Sequence, residues 1–497
     1  TVKGVVTSAT DQQPLIGTTV QVKGTGTGTI TGIDGDYTLP NVDKNAVLVF
    51  SSIGFESQEI AVGGRTTINV VLKEAAELLD EVVVIGYGAV KKSDLTSSIA
   101  TVKGDEITET VTGNAMDALQ GKVNGVQVTS GGGPGATPKV LIRGVTTVNG
   151  TNPLYVVDGM PVGDNINFLN SNDIASMEVL KDASAAAIYG TRASNGVILI
   201  TTKKGKEGKA KVSASANFTI AEPSELLNMM SLREHALYRN SRQTDEKNWQ
   251  FHLVGDEVRY VFGDATGSYD PDKPESYHVL AERNWQKEIY QTAFSQNYSV
   301  SVNGGTGKTT YYVSANFKDI EGTVKQTGLK QGDLRANLNA DLSKAVSLRL
   351  SLAGSLRQND MMAGGNTLGG STGAVSRTAL DYAPYEMPED DPAFDQEAKT
   401  TVFSWLNDYV DLADDKTFNA SLDLTWKISK FLRYNLRTGG NINTNERKRW
   451  YGLELYQGMN NQGYLAISNL DKSNYSVENL VMYNTKLGSW GNLDGTV

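Results

Sequence analysis

Chemistry needs particular side chains held close together, and this chain of 497 residues offers few. It has three histidines, His235, His252 and His278, and no cysteine. None of the histidines stands in a His-Glu-x-x-His arrangement, so zinc hydrolysis has no ligand set. The lack of cysteine removes thiolate metal sites and disulfide frameworks. The run Gly304-Gly305-Thr306-Gly307-Lys308-Thr309 looks like a phosphate loop. That pattern needs glycine where the chain has Val302, and no helix is expected after the run, so it reads as a hairpin turn. Glu386, Glu389, Asp390, Asp391 and Asp395 form an acidic cluster of the kind that can hold Ca²⁺ through oxygens, with a solvated loop as the competing account. No catalytic constellation emerges, and the expectation is a protein that is not an enzyme.

One stretch is better suited to binding than to reaction. Asp80-Glu81-Val82-Val83-Val84-Ile85-Gly86-Tyr87-Gly88 sets four β-branched residues between acids and glycines, making an extended segment that wants a neighbouring strand. It reads either as an interior strand of a flanking domain or as a strand for addition to another protein's sheet edge.

Around it lie elements with distinct patterns. Residues 1–73 carry short strand-like runs (Gly4–Thr7, Thr18–Lys23, Gly35–Leu39, Ala46–Ser51 and Thr67–Leu72) punctuated by Asp34-Gly35 and Gly63-Gly64, which predicts a small sandwich. Residues 74–90 read as an acidic linker. From Pro153 to Gly205 the pattern is mixed. Leu154–Val157 is a strand stopped by Asp158-Gly159 and Pro161, and Glu178-Val179-Leu180 is a second strand. Asp182 is placed to cap a helix over Ala183–Tyr189 that ends at Gly190. Asn195-Gly196 is a hairpin turn before a third strand, Val197–Thr202. Arg143, Glu178 and Arg192 are charges beside small or apolar neighbours. They read as ion pairs fixing this mixed unit inside whatever encloses it, or as solvated surface charge.

After about residue 207 the chain turns to apolar/polar alternation. Phe418, Ala420, Leu422, Leu424, Trp426 and Ile428 alternate with polar residues, as do Val212–Ile220, Tyr311–Phe317, Ala336–Leu342 and Val346–Leu352. Ser343-Lys344 and Ser429-Lys430 are minimal turns, and each strand is expected to run about nine to eleven residues, enough to cross a bilayer at a tilt. Arg349, Arg433 and Arg437 fall on the polar side, toward a lumen. The tracts 222–296 and 357–416 read as long irregular outer loops. Their aromatics, among them Trp249, Phe251, Tyr260, Trp285, Tyr385 and Trp405, suit sugar stacking, loop anchoring or a membrane interface.

Several of these stretches match known families. Gly4-Val-Val, Pro14-Leu-Ile-Gly17, Thr31-Gly-Ile-Asp34-Gly-Asp-Tyr37 and Gly54-Phe55 together resemble the carboxypeptidase-regulatory-like domain, an immunoglobulin-like sandwich. Asp80–Gly88 resembles the TonB box of the SusC/RagA-type TonB-dependent transporters of the outer membrane. Asn114–Val123, Gly125–Val128, Ile142-Arg143-Gly144, Pro153–Pro161 and Ile174–Gly205 follow that family's plug in order and spacing. The resemblance implies a mainly β protein: a transmembrane antiparallel β-barrel of about 22 strands enclosing an α/β plug. On that reading residues 1–73 are the sandwich, 74–90 a linker with the TonB box, 91–206 the plug, and 207–497 the N-terminal part of the barrel. The residues after the plug could supply about eight to ten strands, so the chain is expected to be part of a longer polypeptide.

Composition agrees with this reading. A formal charge of −10 and a pI near 5.1 argue against a nucleic-acid partner. No run approaches a spanning helix, and a mean hydropathy of −0.31 is as ordinary for a membrane barrel as for a soluble protein. The chain begins directly in strand-like sequence, as a processed secreted protein would. The resemblance implies TonB-dependent import of an oligosaccharide, or less readily a peptide, across a Gram-negative outer membrane. TonB and a SusD-like surface lipoprotein would be partners, with no cofactor beyond the possible Ca²⁺. A metal-chelate or vitamin receptor of the same class, and a surface binding protein that moves nothing, are the alternatives.

Overall fold

The structure is a computed structural model. It describes all residues except 10–12, 26, 53–54, 56, 74–81, 86–87, 92–98, 110–113, 131–132, 146–149, 164–165, 183–186, 262–268, 362–374, 390–393, 395–399 and 487–491. Two compact units, Thr1–Thr96 and Ser97–Val497, are described separately.

The first unit is a two-sheet sandwich. Its strands are β1 (Val2–Ser8), β2 (Thr19–Val22), β3 (Gly28–Ile30), β4 (Asp36–Leu39), β5 (Val47–Ser51), β6 (Gln58–Ala61) and β7 (Val70–Leu72). They form sheets ordered β4-β1-β7 and β3-β2-β5-β6. Alternation puts Val2, Val6, Val20, Tyr37, Leu39, Leu48, Phe50 and Val70 into one core between the sheets. The Tyr37 ring meets Phe50 edge-on at 5.5 Å, and its hydroxyl donates to the Ile68 carbonyl at 2.8 Å. Burial pushes that phenol up to about 12. β3 and β6 escape the sequence reading because Gly28-Thr29-Ile30 and Gln58-Glu59-Ile60-Ala61 carry too few apolar residues to show alternation. In the linker, β8 (Val82–Ile85) pairs antiparallel with β9 (Gly88–Lys91), described here by backbone alone.

The second unit begins with a small mixed sheet. β10 (Ile99–Lys103), β13 (Leu154–Val157), β14 (Met160–Gly163), β15 (Ile174–Leu180) and β16 (Val197–Thr202) lie in the order β10-β15-β16-β13-β14, beside a ribbon of β11 (Val126–Thr129) and β12 (Lys139–Ile142). Ile174, Met177, Val179, Ile198 and Ile200 pack with Ile107, Met116 and Leu119 into one core. Three local expectations change here. Pro161 does not end the chain's extended course: Asp158-Gly159, with φ of 49° and 87°, makes a tight turn into β14, an edge strand where proline is tolerated. A 3₁₀ stretch, Ala187–Ala193, broken at Gly190, stands where the helix Ala183–Tyr189 was expected, and residues 183–186 of that helix lie outside the described residues. Asn195-Gly196 is the last turn before β16 and not a two-residue hairpin, since β15 reaches β16 through that 3₁₀ stretch.

The rest is dominated by nine antiparallel strands. These are β17 (Gly208–Ala221), β21 (Ala293–Thr306), β22 (Thr309–Glu321), β23 (Gly328–Asp341), β24 (Val346–Asp360), β25 (Tyr409–Lys427), β26 (Leu432–Tyr451), β27 (Tyr464–Lys486) and β28 (Asn492–Thr496), paired in that order. Gly307-Lys308 is indeed a hairpin turn, between β21 and β22. The sheet is inside out relative to a water-soluble one. Phe218, Val300, Phe317, Leu334, Leu356 and Phe418 are exposed on one face, while Asn316, Lys318, Gln331, Asp333, Arg335 and Asn337 are buried on the other.

Most of these strands exceed the expected nine to eleven residues, running to 23 in β27. The apolar face explains the difference. On β24 it runs from Val346 to Leu356, opposite Trp426 to Lys416, and the next outward pair is Gln358 with Asp414. That stretch rises about 34 Å along the strand, or about 25 Å at the usual barrel tilt, the height of a lipid-facing band. The excess length extends the wall past that stretch, where charged residues such as Asp414, Glu446 and Lys448 mix with Val410, Trp450, Leu465 and Ile467 on the same face.

The expected irregular loops are folded. The 222–292 tract carries a helix, Leu232–Ser241, started by a Ser231/Glu234 capping box, and a sheet of β18 (Phe251–Val254), β19 (Glu257–Val261) and β20 (Tyr277–Leu280). Helices Trp285–Ile289, Val375–Asp381 and Val402–Asn407 complete the cap. Phe251, Tyr260, Trp285, Tyr385, Trp405 and Tyr409 are therefore its cores and are not free to stack on sugars. Burial next to Phe251 and Tyr385, with Arg239 nearby, lowers the His235 imidazole below its usual range. No described helix is long and apolar enough to cross a membrane, which says nothing of a β-barrel.

Candidate functional site

The functional region is the seam where the small mixed sheet meets the polar face of the nine-stranded wall. Asp173 anchors it. The 3₁₀ turn Ser171–Asp173, capped by the Asn170 side chain, delivers this carboxylate just ahead of β15. Its two oxygens accept from the Tyr312 hydroxyl at 2.9 Å and from Asn316 Nδ2 at 3.1 Å, with Arg335 Nε at 3.8 Å. Asp173 and Arg335 are both almost fully buried. Beside them, Asn337 Nδ2 donates to Thr202 Oγ1 at 3.0 Å and to the Lys203 carbonyl at 2.7 Å. Gln331 Nε2 donates to the Asn167 carbonyl at 2.9 Å, and Arg357 donates to the Gly135 carbonyl. Even backbone comes close: a Cβ on Gly205 would lie 2.2 Å from Tyr311 N. These bonds tie the mixed sheet to β22–β24.

Further round the wall the seam opens. Two cavities of about 360 Å³ and about 440 Å³ lie between β14 and strands β24–β27. They share Val162, Gly163, Phe168, Asn441 and Asn474 as lining. The wall there carries amides in cross-strand bonds, Asn441 to Asn419 and Asn443 to Thr417. Several of its charges pair, Arg357 with Asp415 at 3.1 Å and Arg437 with Asp423 at 3.4 Å and Glu478 at 3.7 Å, and Lys472 also lines the larger cavity. The seam holds no arrangement of nucleophile and base; it is built to hold and to release.

The residues expected to join plug to wall fare differently. Arg143 does not reach the wall: its Nη2 meets Asp182 Oδ1 at 2.6 Å inside the mixed sheet's own unit, because its backbone turns at φ 57° straight after β12. Glu178 is buried in the middle of β15, across from Thr101 and Leu199. Arg192 is exposed and lines the smaller cavity opposite Arg335. Arg437 does face the seam, against Gly159. Asp173 was missed, since nothing local links it to a tyrosine 139 residues onward. Its one signal is the polar run Asn170-Ser171-Asn172-Asp173 directly before a fully apolar strand start.

Of the strand-addition segment, Asp80, Glu81, Gly86 and Tyr87 lie outside the described residues. Val82–Ile85 forms a hairpin with Gly88–Lys91, and the other edge of that hairpin strand has no strand beside it among the described residues. In the acidic cluster, Glu386 pairs with Arg283 at 3.4 Å, while Asp390, Asp391 and Asp395 lie outside the described residues. No metal-holding group of three acids or histidines exists among the described residues.

With this geometry in hand, comparison with known proteins is specific. Residues 2–84 match the CarboxypepD_reg-like domain, and residues 91–197 match the TonB-dependent Receptor Plug Domain. The chain is 40% identical over 349 residues to the TonB-dependent receptor SusC of Bacteroides thetaiotaomicron, covering 68% of this chain and 32% of that protein. It is 38% identical over 387 residues to the TonB-dependent receptor P3 of Formosa agariphila, covering 77% of this chain and 35% of the relative. The structure of the RagAB peptide importer in its open-open state matches with a TM-score of 0.64 at 26% identity, over 84% of this chain and 48% of that one. The chain thus spans about a third of the length of these curated relatives.

Proposed function

Because the chain belongs to the SusC/RagA-type TonB-dependent receptors, a family of outer-membrane β-barrels, we propose that it forms the plug and adjoining wall of an importer that lies in the outer membrane and is driven through TonB. The observation that carries this reading is the inverted sheet: an apolar band outside, and inside it a polar face bonded to the plug through Asp173. A soluble binding module would have no use for that inversion.

The cycle has three steps. Cargo settles above the plug, beneath the folded outer cap. The Val82–Ile85 strand is taken up by TonB through backbone bonds at its open edge. Force on the linker then loosens part of the plug. The cargo is an oligosaccharide, or less readily a peptide, and a SusD-like surface lipoprotein covers the outer mouth. Support comes from the SusC and RagAB likenesses. The chain does no covalent chemistry in this scheme.

Deleting Val82–Ile85 tests the coupling. In cells carrying the intact transporter, uptake of the cargo found by a glycan and peptide binding screen should fall to background, while surface binding of that cargo stays. Undiminished uptake refutes the role of this strand.

A further inference from the structure

The seam is uneven, and its two sides differ in kind. Along β22–β24 the plug is held by a desolvated carboxylate, buried amide bonds and close backbone contact. Removing one member of a buried ion pair costs about 3–5 kcal/mol. Along β25–β27 the plug touches the wall mainly at the tip of the β13–β14 hairpin. The Ser476 hydroxyl donates to Met160 Sδ at 3.6 Å, a Cβ on Gly439 would lie 2.8 Å from Met160 Cε, and one on Gly159 would lie 3.0 Å from Arg437 Nη1. Beyond that tip lie the two cavities, which share Val162, Gly163, Phe168, Asn441 and Asn474 as walls. A thioether contact and van der Waals touches are each worth well under a buried ion pair.

The outer strand of the hairpin is lightly held within the plug. β14 is the outermost strand, paired among the described residues only with β13, and that pairing shifts register at Tyr155/Val156. Its turn is kept in place by Asp158, whose carboxylate accepts from Thr202 N at 2.9 Å and Thr202 Oγ1 at 2.6 Å.

We infer that the β13–β14 hairpin is the gate of this plug, that it yields while the Asp173 side stays docked, and that cargo passes along the inner face of β25–β27. The inference deepens the import reading and rests on it. The corridor presents the amides of Asn419, Asn441, Asn443 and Asn474, with Arg192 and Lys472 also in its lining. Amides donate and accept, so this lining exchanges hydrogen bonds with a hydroxyl-rich chain.

Two measurements on the intact transporter test the gate without reading uptake. In lipid nanodiscs, amide hydrogen exchange at Val156–Gly163 should run at least about tenfold faster than at Met177–Leu180, as the lower local opening energy requires. With any cysteine outside these 497 residues replaced, a cysteine pair can be placed cleanly, since the chain itself has none. Met160→Cys with Ser476→Cys ties the gate shut, and each single variant is its uncrosslinked control. In planar bilayers bathed in KCl, urea should open a conductance in the parent protein and in both single variants. The pair should not conduct until reduced. A parent that never conducts, an oxidised pair that conducts undiminished, single variants that block, or a reversed exchange order overturns the inference. Loss of the import reading alone would leave these results as they stand.

Discussion

Replacing Asp173 by alanine should detach the plug from its fixed side of the wall. The side chain satisfies Tyr312, Asn316 and Arg335 at once, and Arg335 is 5% exposed. Alanine leaves that guanidinium buried beside nothing of opposite charge at this point. The penalty for breaking a buried pair is about 3–5 kcal/mol. Each 1.4 kcal/mol is tenfold, so protection of the Ile174–Leu180 amides should drop by roughly 150-fold or more. The assay is hydrogen exchange on the intact transporter in nanodiscs, with β23 and β24 as an internal reference. Asp173→Asn keeps an acceptor for Tyr312 but loses the charge and the acceptor for Asn316 Nδ2, so it should fall between wild type and alanine. Pairing Asp173→Ala with Arg335→Met removes both charges and should recover much of the protection, since a buried pair is often replaceable by apolar groups. Unchanged exchange in Asp173→Ala, or no recovery in the double variant, would refute the anchoring argument.

Other outcomes can be checked alongside. Leu350→Arg, in the middle of the apolar face between Val346 and Leu356, should destabilise the folded wall by about 2–4 kcal/mol in a bilayer, measured by denaturant titration, whereas Gln358→Arg should cost close to nothing. His235 is held neutral by burial, with its folded value lowered, so the unfolded chain takes up a proton first as pH falls. Cap stability should therefore be constant above the unfolded value of about 6.5 and decline below it until the lowered folded value is reached. Limited proteolysis of the cap across that pH range reads the decline, and His235→Gln should flatten it.

What could be read from the sequence follows from which signals are local. Alternation at Phe418–Ile428 and Val346–Leu352 is a property of adjacent residues, and it placed β24 and β25 and the tight turns beside them, while β27 and β28 went unread. Strand length was underestimated because only the lipid-facing part alternates cleanly. Past Leu356 and Lys416 charged residues fall on both faces, Arg357 and Asp360 on β24 and Asp415 and Asp414 on β25, and interrupt the period of two. Aromatics in the outer tracts looked available because sequence cannot show that Trp285 and Trp405 pack on one another's helices. The plug's charged contacts were the hardest to foresee. Arg143 finds Asp182 within the plug, while the wall is met by Asp173 through partners on β22 and β23, a pairing that only the closed fold creates.

The wall's extra height has a consequence for how the outer cap works. From Lys416 to Tyr409 on β25 the chain climbs on the order of 20 Å past the greasy girdle before the Trp405–Tyr409 cluster begins. The cap thus sits on an extended parapet of paired strands, and whatever docks there meets a rim of β-sheet. Shortening β25 and β26 by a matched pair of residues would lower that rim while leaving the bilayer crossing intact.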